Sequence, residues 1–174
     1  MTLLSDEIRS YIGRTGTTEV ACDVVERGAV RRYLQAYMDE GERFSGSDDE
    51  TSRFGGAVAP PLYPMNLFRR PAGTPDPFAE RARDPHFDGI VGSTAQGLPP
   101  LPLPPGIGLL NAGTDVEIFR YARLGETIVA VSRYADITEK VTNKGEMLLV
   151  VIETDYRTGE GELLLRVRKT QIRR

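Results

Sequence analysis

The chain is poor in the residues that carry most acid–base, redox and metal chemistry. Its 174 residues include one histidine (His86), one cysteine (Cys22) and no tryptophan. A lone cysteine excludes an internal disulfide. One His and one Cys far apart in sequence cannot build a zinc site of the usual nitrogen and sulfur kind. No apolar run approaches the roughly 18 residues a membrane span needs. The opening "MTLLSDEIRSY" lacks the basic-then-apolar order of a signal peptide. A formal net charge of −3 supplies neither the basic field that attracts nucleic acid nor one that attracts anionic membranes. The expectation is a cytoplasmic protein without nucleic-acid or membrane partners.

Hydrophobic residues make up 40% of the chain and charged residues 27%. At this length that suffices for one folded domain with a genuine core, taken as residues 1–174. Residues 1–14 read as a short entry helix, and "TTEVACDVV", 17–25, as a strand. In "ERGAVRRYLQAYMDE", Val30, Tyr33, Leu34, Tyr37 and Met38 recur on one helical face, with Gly41 as terminator. That stripe reads as core rather than as a ligand surface. "GAVAPPLYPMNLFRRP", 56–71, holds a second helix candidate, with Pro61 in its first turn, Pro71 as its stop, and Leu62, Met65 and Phe68 on its apolar side.

Residues 72–108 are poor in regular structure. "GLPPLPLPPGIG" should run extended in the manner of polyproline. It is either a recognition peptide or a stiff connection packed on its own domain. The leucines and the lack of flanking basic residues favour the second. From residue 113 four strands follow, broken at "LGE", "TNKGE" and "TGEGE", Gly-bearing turns suited to hairpins. In the last strand Leu163, Leu165 and Val167 face one way, and Leu164, Arg166, Arg168 and Thr170 the other. The pattern is α+β: helices and a long Pro-rich loop, then an antiparallel meander with a helix laid on one face.

The segments "DVVERGAVRRYLQAYMDE", "GGAVAPPLYP", "LLNAGTDVEIFRYARLGET" and "GELLLRVRKTQIRR" resemble, in this order, the MaoC-like dehydratases, and more closely their N-terminal, FAS1-like dehydratase branch. The resemblance implies a hot-dog fold, a curved antiparallel sheet wrapped around a central helix. It also implies work on acyl thioesters, with water added to or removed from the 2,3 position of an acyl-CoA or acyl-carrier-protein chain. Active members use an Asp/His pair from a D-x-N-x-x-H run for proton transfer, and a backbone N–H opening the central helix to stabilise charge on the thioester oxygen.

The region matching that run here is "MDEGERFSGSDDE". It offers Asp39 or Asp48, but no histidine precedes His86. Glutamates in a hydrated loop have little reason to titrate near neutrality. Asp48, Asp49 and Glu50 read as solvated rather than as a metal site. Where active relatives carry His-Gly, this chain carries Pro60 and Pro61, and proline has no N–H to donate. His86, flanked by Asp84 and Asp88, is a weak substitute base, since it lies in the long loop.

The resemblance therefore implies a non-catalytic subunit. It would wall the substrate tunnel of an (R)-specific enoyl-CoA hydratase or 3-hydroxyacyl-CoA dehydratase, while a MaoC-like partner carrying D-x-N-x-x-H supplies the catalysis. Pairing is expected through a sheet edge or a buried helix face. Candidate contacts to CoA or substrate are Tyr63, Arg69, Arg70, Asn111, Gly113, Arg166 and Lys169, each with a plain structural alternative. Asn111 and Gly113 are read as a small junction before the first meander strand. No metal and no cofactor are expected, CoA or a carrier thioester serving as the substrate's handle. Two alternatives stay open: a self-sufficient hydratase or hot-dog thioesterase using His86 or a carboxylate, and a non-enzymatic acyl-CoA-binding scaffold. The acyl group is open between a fatty acid, a steroid side chain and a branched dicarboxylate.

Overall fold

In a computed structural model the described residues are 3–39, 54–68, 73–76, 79, 83–86, 97–143 and 145–174. They form a five-stranded, curved, fully antiparallel sheet in the order β1-β3-β4-β5-β2. The strands are β1 (Glu19–Val20), β2 (Leu109–Ile118), β3 (Ile128–Thr142), β4 (Gly145–Thr158) and β5 (Leu163–Arg173). Helix α1 (Asp6–Arg9) precedes them. Helix α2 (Arg27–Ala36) and a 3-10 turn (Tyr63–Asn66) lie between β1 and β2.

Residues directly opposite in neighbouring strands share a face, so the register sorts the side chains. One inner-face row runs Ala130, Tyr156, Leu165, Ile118, and the next Ser132, Thr154, Val167, Val116. Val30 and Leu34 of α2, with Tyr63 and Leu67 of the turn, join Ala130, Tyr156, Leu165 and Val167 in one buried cluster. A second cluster joins Leu4 and Ile8 of the N-terminal segment to Tyr134, Ile137, Leu148, Val150 and Ile152. Ser132 and Thr154, the buried polar pair between the two, hydrogen-bond to each other at 2.8 Å, which offsets their desolvation.

Several expectations from the sequence are corrected. The strand expected over 17–25 narrows to Glu19–Val20. The turn at "LGE" closes no hairpin, because β2 pairs with β5 and not with β3; only the other two turns join neighbours. Bonding to β2 also begins at Leu109 rather than at 113.

α2 ends at Ala36, before Gly41. Met38 takes φ 55°, and the N–H groups of Asp39 and Met38 donate to the carbonyls of Leu34 and Gln35 at 3.0 and 3.2 Å. This is the Schellman arrangement, with methionine where glycine usually stands. Tyr37 and Met38 consequently lie at and beyond the helix end, 66% and 90% exposed, and are not core. In the 3-10 turn Tyr63, Pro64 and Leu67 are buried, whereas the expected apolar residue Leu62 is 41% exposed. Leu164, expected on the arginine face, is a bulge residue between Leu163 and Leu165 and is fully buried.

Of the Pro-rich stretch, 97–108 is described and has no regular structure. Leu98, Leu101 and Leu103 pack on the second cluster, and the Tyr134 hydroxyl donates to the Pro99 carbonyl at 2.8 Å. Gly97 and Gly16 meet back to back: a Cβ on Gly16 would lie 2.7 Å from the carbonyl carbon of Gly97. Only glycine allows that approach.

Candidate functional site

β2 is the longer of the sheet's two edge strands, β1 at the other edge being two residues long. It is ten residues long, and after Leu109 every residue is exposed. Its N–H and C=O groups on the side away from β5 form a strip about 33 Å long at ~3.3 Å per residue. A bulge at Ala112 interrupts its ladder with β5, so Gly113–Ile118 is the regular run. The apolar inner-face residues of this run, Val116 and Ile118, are 36% and 48% exposed, and Phe119 just beyond is 52% exposed. Apolar side chains are thus spread along an edge whose outward backbone groups have no strand partner among the described residues.

A cavity of about 510 Å³ opens at the C-terminal end of this edge, lined by Phe54, Val58, Ile118, Phe119, Arg120, Tyr121 and Arg123. Its floor comes from the local pairing of two segments. Val58 bridges Arg123, and the Ala59 N–H donates to the Ala122 carbonyl at 2.8 Å. Phe54 and Tyr121 pack ring on ring at 5.0 Å. Past the end of β2 the N–H groups of Phe119 and Arg120 share the carbonyl of the Leu164 bulge, at 2.9 and 3.2 Å, which turns the "FRYAR" run over the cavity.

The two arginines differ. Arg120 is held by Glu126 at 2.8 Å and Glu162 at 2.7 Å. Burial opposes its charge, but those hydrogen bonds outweigh it and raise the guanidinium above its ordinary value. Arg120 therefore braces the wall. Arg123 is exposed, and its guanidinium has no ion pair among the described residues. Chemically the cavity offers an aromatic and aliphatic lining with the Arg123 cation at the rim. Such a lining suits an apolar chain with an anionic or strongly polar end.

The candidate residues from the sequence fall in different places. Tyr63 is 3% exposed and packs edge-on against Tyr33 at 5.3 Å; burial raises its pKa. Asn111 and Gly113 lie within β2 on either side of the bulge, so they are strand residues and not a junction before it. Arg166 is on the outer face, bound to Asp155 at 2.6 Å. Lys169 is on the inner face between Ile152 and Thr114. One ligand on one face cannot take both. His86 is exposed in a turn whose backbone N–H at 86 donates to the Asp84 carboxylate at 2.9 Å. Asp39 closes the end of α2. Arg69 and Arg70, with Asp48, Asp49 and Glu50, lie outside the described residues, as does most of the acidic loop.

The cavity residues Phe119, Arg120, Tyr121 and Arg123 were not singled out from the sequence. Their signal is the alternation of aromatics and arginines directly after a strand. Among the described residues no group of three or more His, Cys, Asp or Glu is placed to hold a metal, and no helix is long and apolar enough to cross a membrane.

Residues 10–167 match the family described as "FAS1-like, dehydratase domain region". The chain belongs to this family. Among curated proteins none matches it by sequence. Several solved structures share its fold at low identity. The ChsH1-ChsH2 complex from Mycobacterium tuberculosis is similar with TM-score 0.67 at 16% identity, over 96% of this chain and 88% of that one. A MaoC-like dehydratase from Rhodospirillum rubrum gives 0.55 at 16% identity, over 92% and 90%. The HadBC (3R-hydroxyacyl-ACP dehydratase) complex, also from Mycobacterium tuberculosis, gives 0.53 at 14%, over 90% and 95%. The fold of this FAS1-like dehydratase region is therefore the hot-dog fold that these structures share.

Proposed function

We propose that the chain is the non-catalytic, tunnel-forming half of a heteromeric enoyl-CoA hydratase or 3-hydroxyacyl-CoA dehydratase. The supporting observation is the cavity with its aromatic and aliphatic lining at the end of a sheet edge that is unpaired among the described residues. A second hot-dog unit adding its own edge to β2 completes the sheet and roofs the cavity, turning an open cleft into a channel for an acyl chain. Arg123 at the rim then meets phosphates of a CoA or carrier arm. Two of the similar structures are complexes of paired chains, ChsH1-ChsH2 and HadBC.

The division of labour follows from residue chemistry. Hydration adds water across the 2,3 double bond: a base removes a water proton, the oxygen bonds to C3, and a proton reaches C2. That needs a group titrating near neutrality and a donor for the thioester oxygen. The only histidine here is His86, and Pro60, buried, and Pro61 stand three and two residues ahead of the 3-10 turn, at the positions the resemblance matches to the His-Gly donor of active relatives. The partner supplies both functions.

The test is a comparison of the purified chain with a co-expressed complex containing a MaoC-like chain that bears D-x-N-x-x-H. Enoyl-CoA hydration is followed by loss of the conjugated thioester absorbance. The chain alone should be inactive and the complex active. Hydration or thioester cleavage by the chain alone, abolished in His86→Ala, refutes the proposal and establishes the self-sufficient enzyme. Acyl-CoA binding that leaves the partner's rate unchanged establishes a scaffold.

A further inference from the structure

The outer face of the sheet carries charge in ordered rows. One row runs across neighbouring strands as Arg133, Glu153, Arg168, Asp115. The adjacent row runs Asp155, Arg166, Glu117. Signs alternate from strand to strand in both, and both end on a carboxylate at the free edge. Opposite charges directly across a strand pair are favourable and like charges are not.

The ion pairs are not shared evenly along the rows. Arg168 places its Nε 2.6 Å from Glu153, and Arg166 its Nε 2.6 Å from Asp155, so both β5 arginines lean toward β4. Among the described residues the one ion pair of Glu117 is a 4.0 Å contact to Arg168, with 55% of its side chain exposed. Asp115 is exposed and has no ion pair among the described residues. β2, Leu109–Ile118, contains no Lys or Arg to neutralise them. The edge therefore presents two under-compensated carboxylates beside the exposed apolar residues Val116 and Ile118.

We infer that Asp115 and Glu117 select the partner strand: β2 accepts a second hot-dog chain whose edge carries Lys or Arg opposite them, and rejects a second copy of this chain. The inference rests on the proposed pairing through β2 and names its partner's chemistry. Self-pairing about a two-fold axis is antiparallel and joins identical patches. Directly opposed residues share a face, and Gly113–Ile118 is the regular run. Centring a self-pair there sets Asp115 against Asp115 or against Glu117 of the other copy. Minus would meet minus where the rows call for plus, whereas a basic edge continues the alternation and suppresses the wrong pairing.

The experiment measures association by analytical ultracentrifugation. The probe is this chain carrying Asp115→Lys and Glu117→Lys, which presents the complementary edge on an otherwise identical surface. Expected results are a monomeric wild type, a monomeric variant, and a 1:1 dimer in the mixture, at least about tenfold tighter than either self-association and weakened by raising salt from 50 to 500 mM. A neutral variant, Asp115→Asn with Glu117→Gln, should self-associate more tightly than wild type. Circular dichroism melts confirm that each variant is folded. A wild-type dimer as tight as the mixture, or a folded mixture that stays monomeric, overturns the inference. Failure here separates from failure of the functional reading. An active complex with a catalytic chain whose formation is indifferent to the charge reversal refutes only the role of Asp115 and Glu117. A mixed dimer together with a co-expressed complex that shows no hydration refutes only the proposed function.

Discussion

Glu153→Gln tests the charge network on which the outer face depends. Glu153 is 3% exposed. Its Oε1 accepts from Arg133 Nε at 2.9 Å, its Oε2 accepts from Arg168 Nε at 2.6 Å, and Arg166 lies 3.6 Å away. The amide keeps the shape and loses the charge. One side still offers an acceptor, but the amide NH₂ now faces a guanidinium donor, and three cations lose a common counter-ion. Removing one member of a fully buried pair costs about 3–5 kcal/mol. Here the arginine partners Arg133 and Arg168 are 48% and 47% exposed along the side chain and regain water. The cost should therefore be about 2–3 kcal/mol, a drop in Tm of about 4–12 °C for a chain of this size.

The same residue gives a pH signature. Burial opposes ionisation of Glu153, but hydrogen bonds from Arg168 and Arg133 outweigh it and hold the carboxyl below its ordinary value. A depressed carboxyl contributes stability that is fully present above the unfolded-state pKa of about 4.3 and is lost as pH falls through the lower native value. The difference in Tm between wild type and Glu153→Gln should be full at pH 7 and shrink below about pH 4. Circular dichroism melts between pH 3 and pH 7 read both quantities. A variant within 1 °C of wild type at neutral pH, or a gap that persists undiminished into acid, would refute this reasoning.

Other outcomes follow from single positions. Met38→Gly should stabilise by about 0.5–1 kcal/mol in urea titrations, because it relieves a left-handed residue that is 90% exposed and so gives up no packing. Gly16→Ala should lower the urea midpoint by the equivalent of about 1–3 kcal/mol, since its Cβ would meet the Gly97 backbone at 2.7 Å; unchanged stability would show that the two backbones separate freely. Leu34→Ala, at a residue 4% exposed between α2 and the sheet, should cost about 2–5 kcal/mol in the same titration. His86→Ala should leave hydration by the co-expressed complex within about twofold of wild type, because the exposed imidazole is not the base in the proposed chemistry.

The alternation of "GELLLRVRKTQ" and the β-branched runs before it made β3, β4 and β5 readable, because a period of two is a local property of a half-buried strand. Arg166 and Lys169 are grouped as candidates on the last strand in the sequence, yet the register sets them on opposite faces and Arg166 is taken up by Asp155. The end of α2 was misread because a methionine supplies the left-handed turn that glycine usually marks. Leu164 was assigned to the wrong face because a bulge, invisible in the hydrophobic pattern, shifts the parity by one residue. Phe119 to Arg123 read as the tail of a strand, and their role as a cavity wall depends on pairing with 57–59, some sixty residues away.

By itself the sequence determined an α+β pattern and a single histidine, and its segments resemble the FAS1-like dehydratases, a resemblance that sets Pro60 and Pro61 against the helix-opening donor. The first two are matters of composition and period. Only the tertiary structure decided that β2 skips its sequence neighbour to sit beside β5 at the open edge. Strand neighbours are set by long-range hydrogen bonding and by burial of the inner face, which no local pattern encodes. That placement leaves Asp115 and Glu117 at the ends of two charge rows and opens the aromatic cavity beside them.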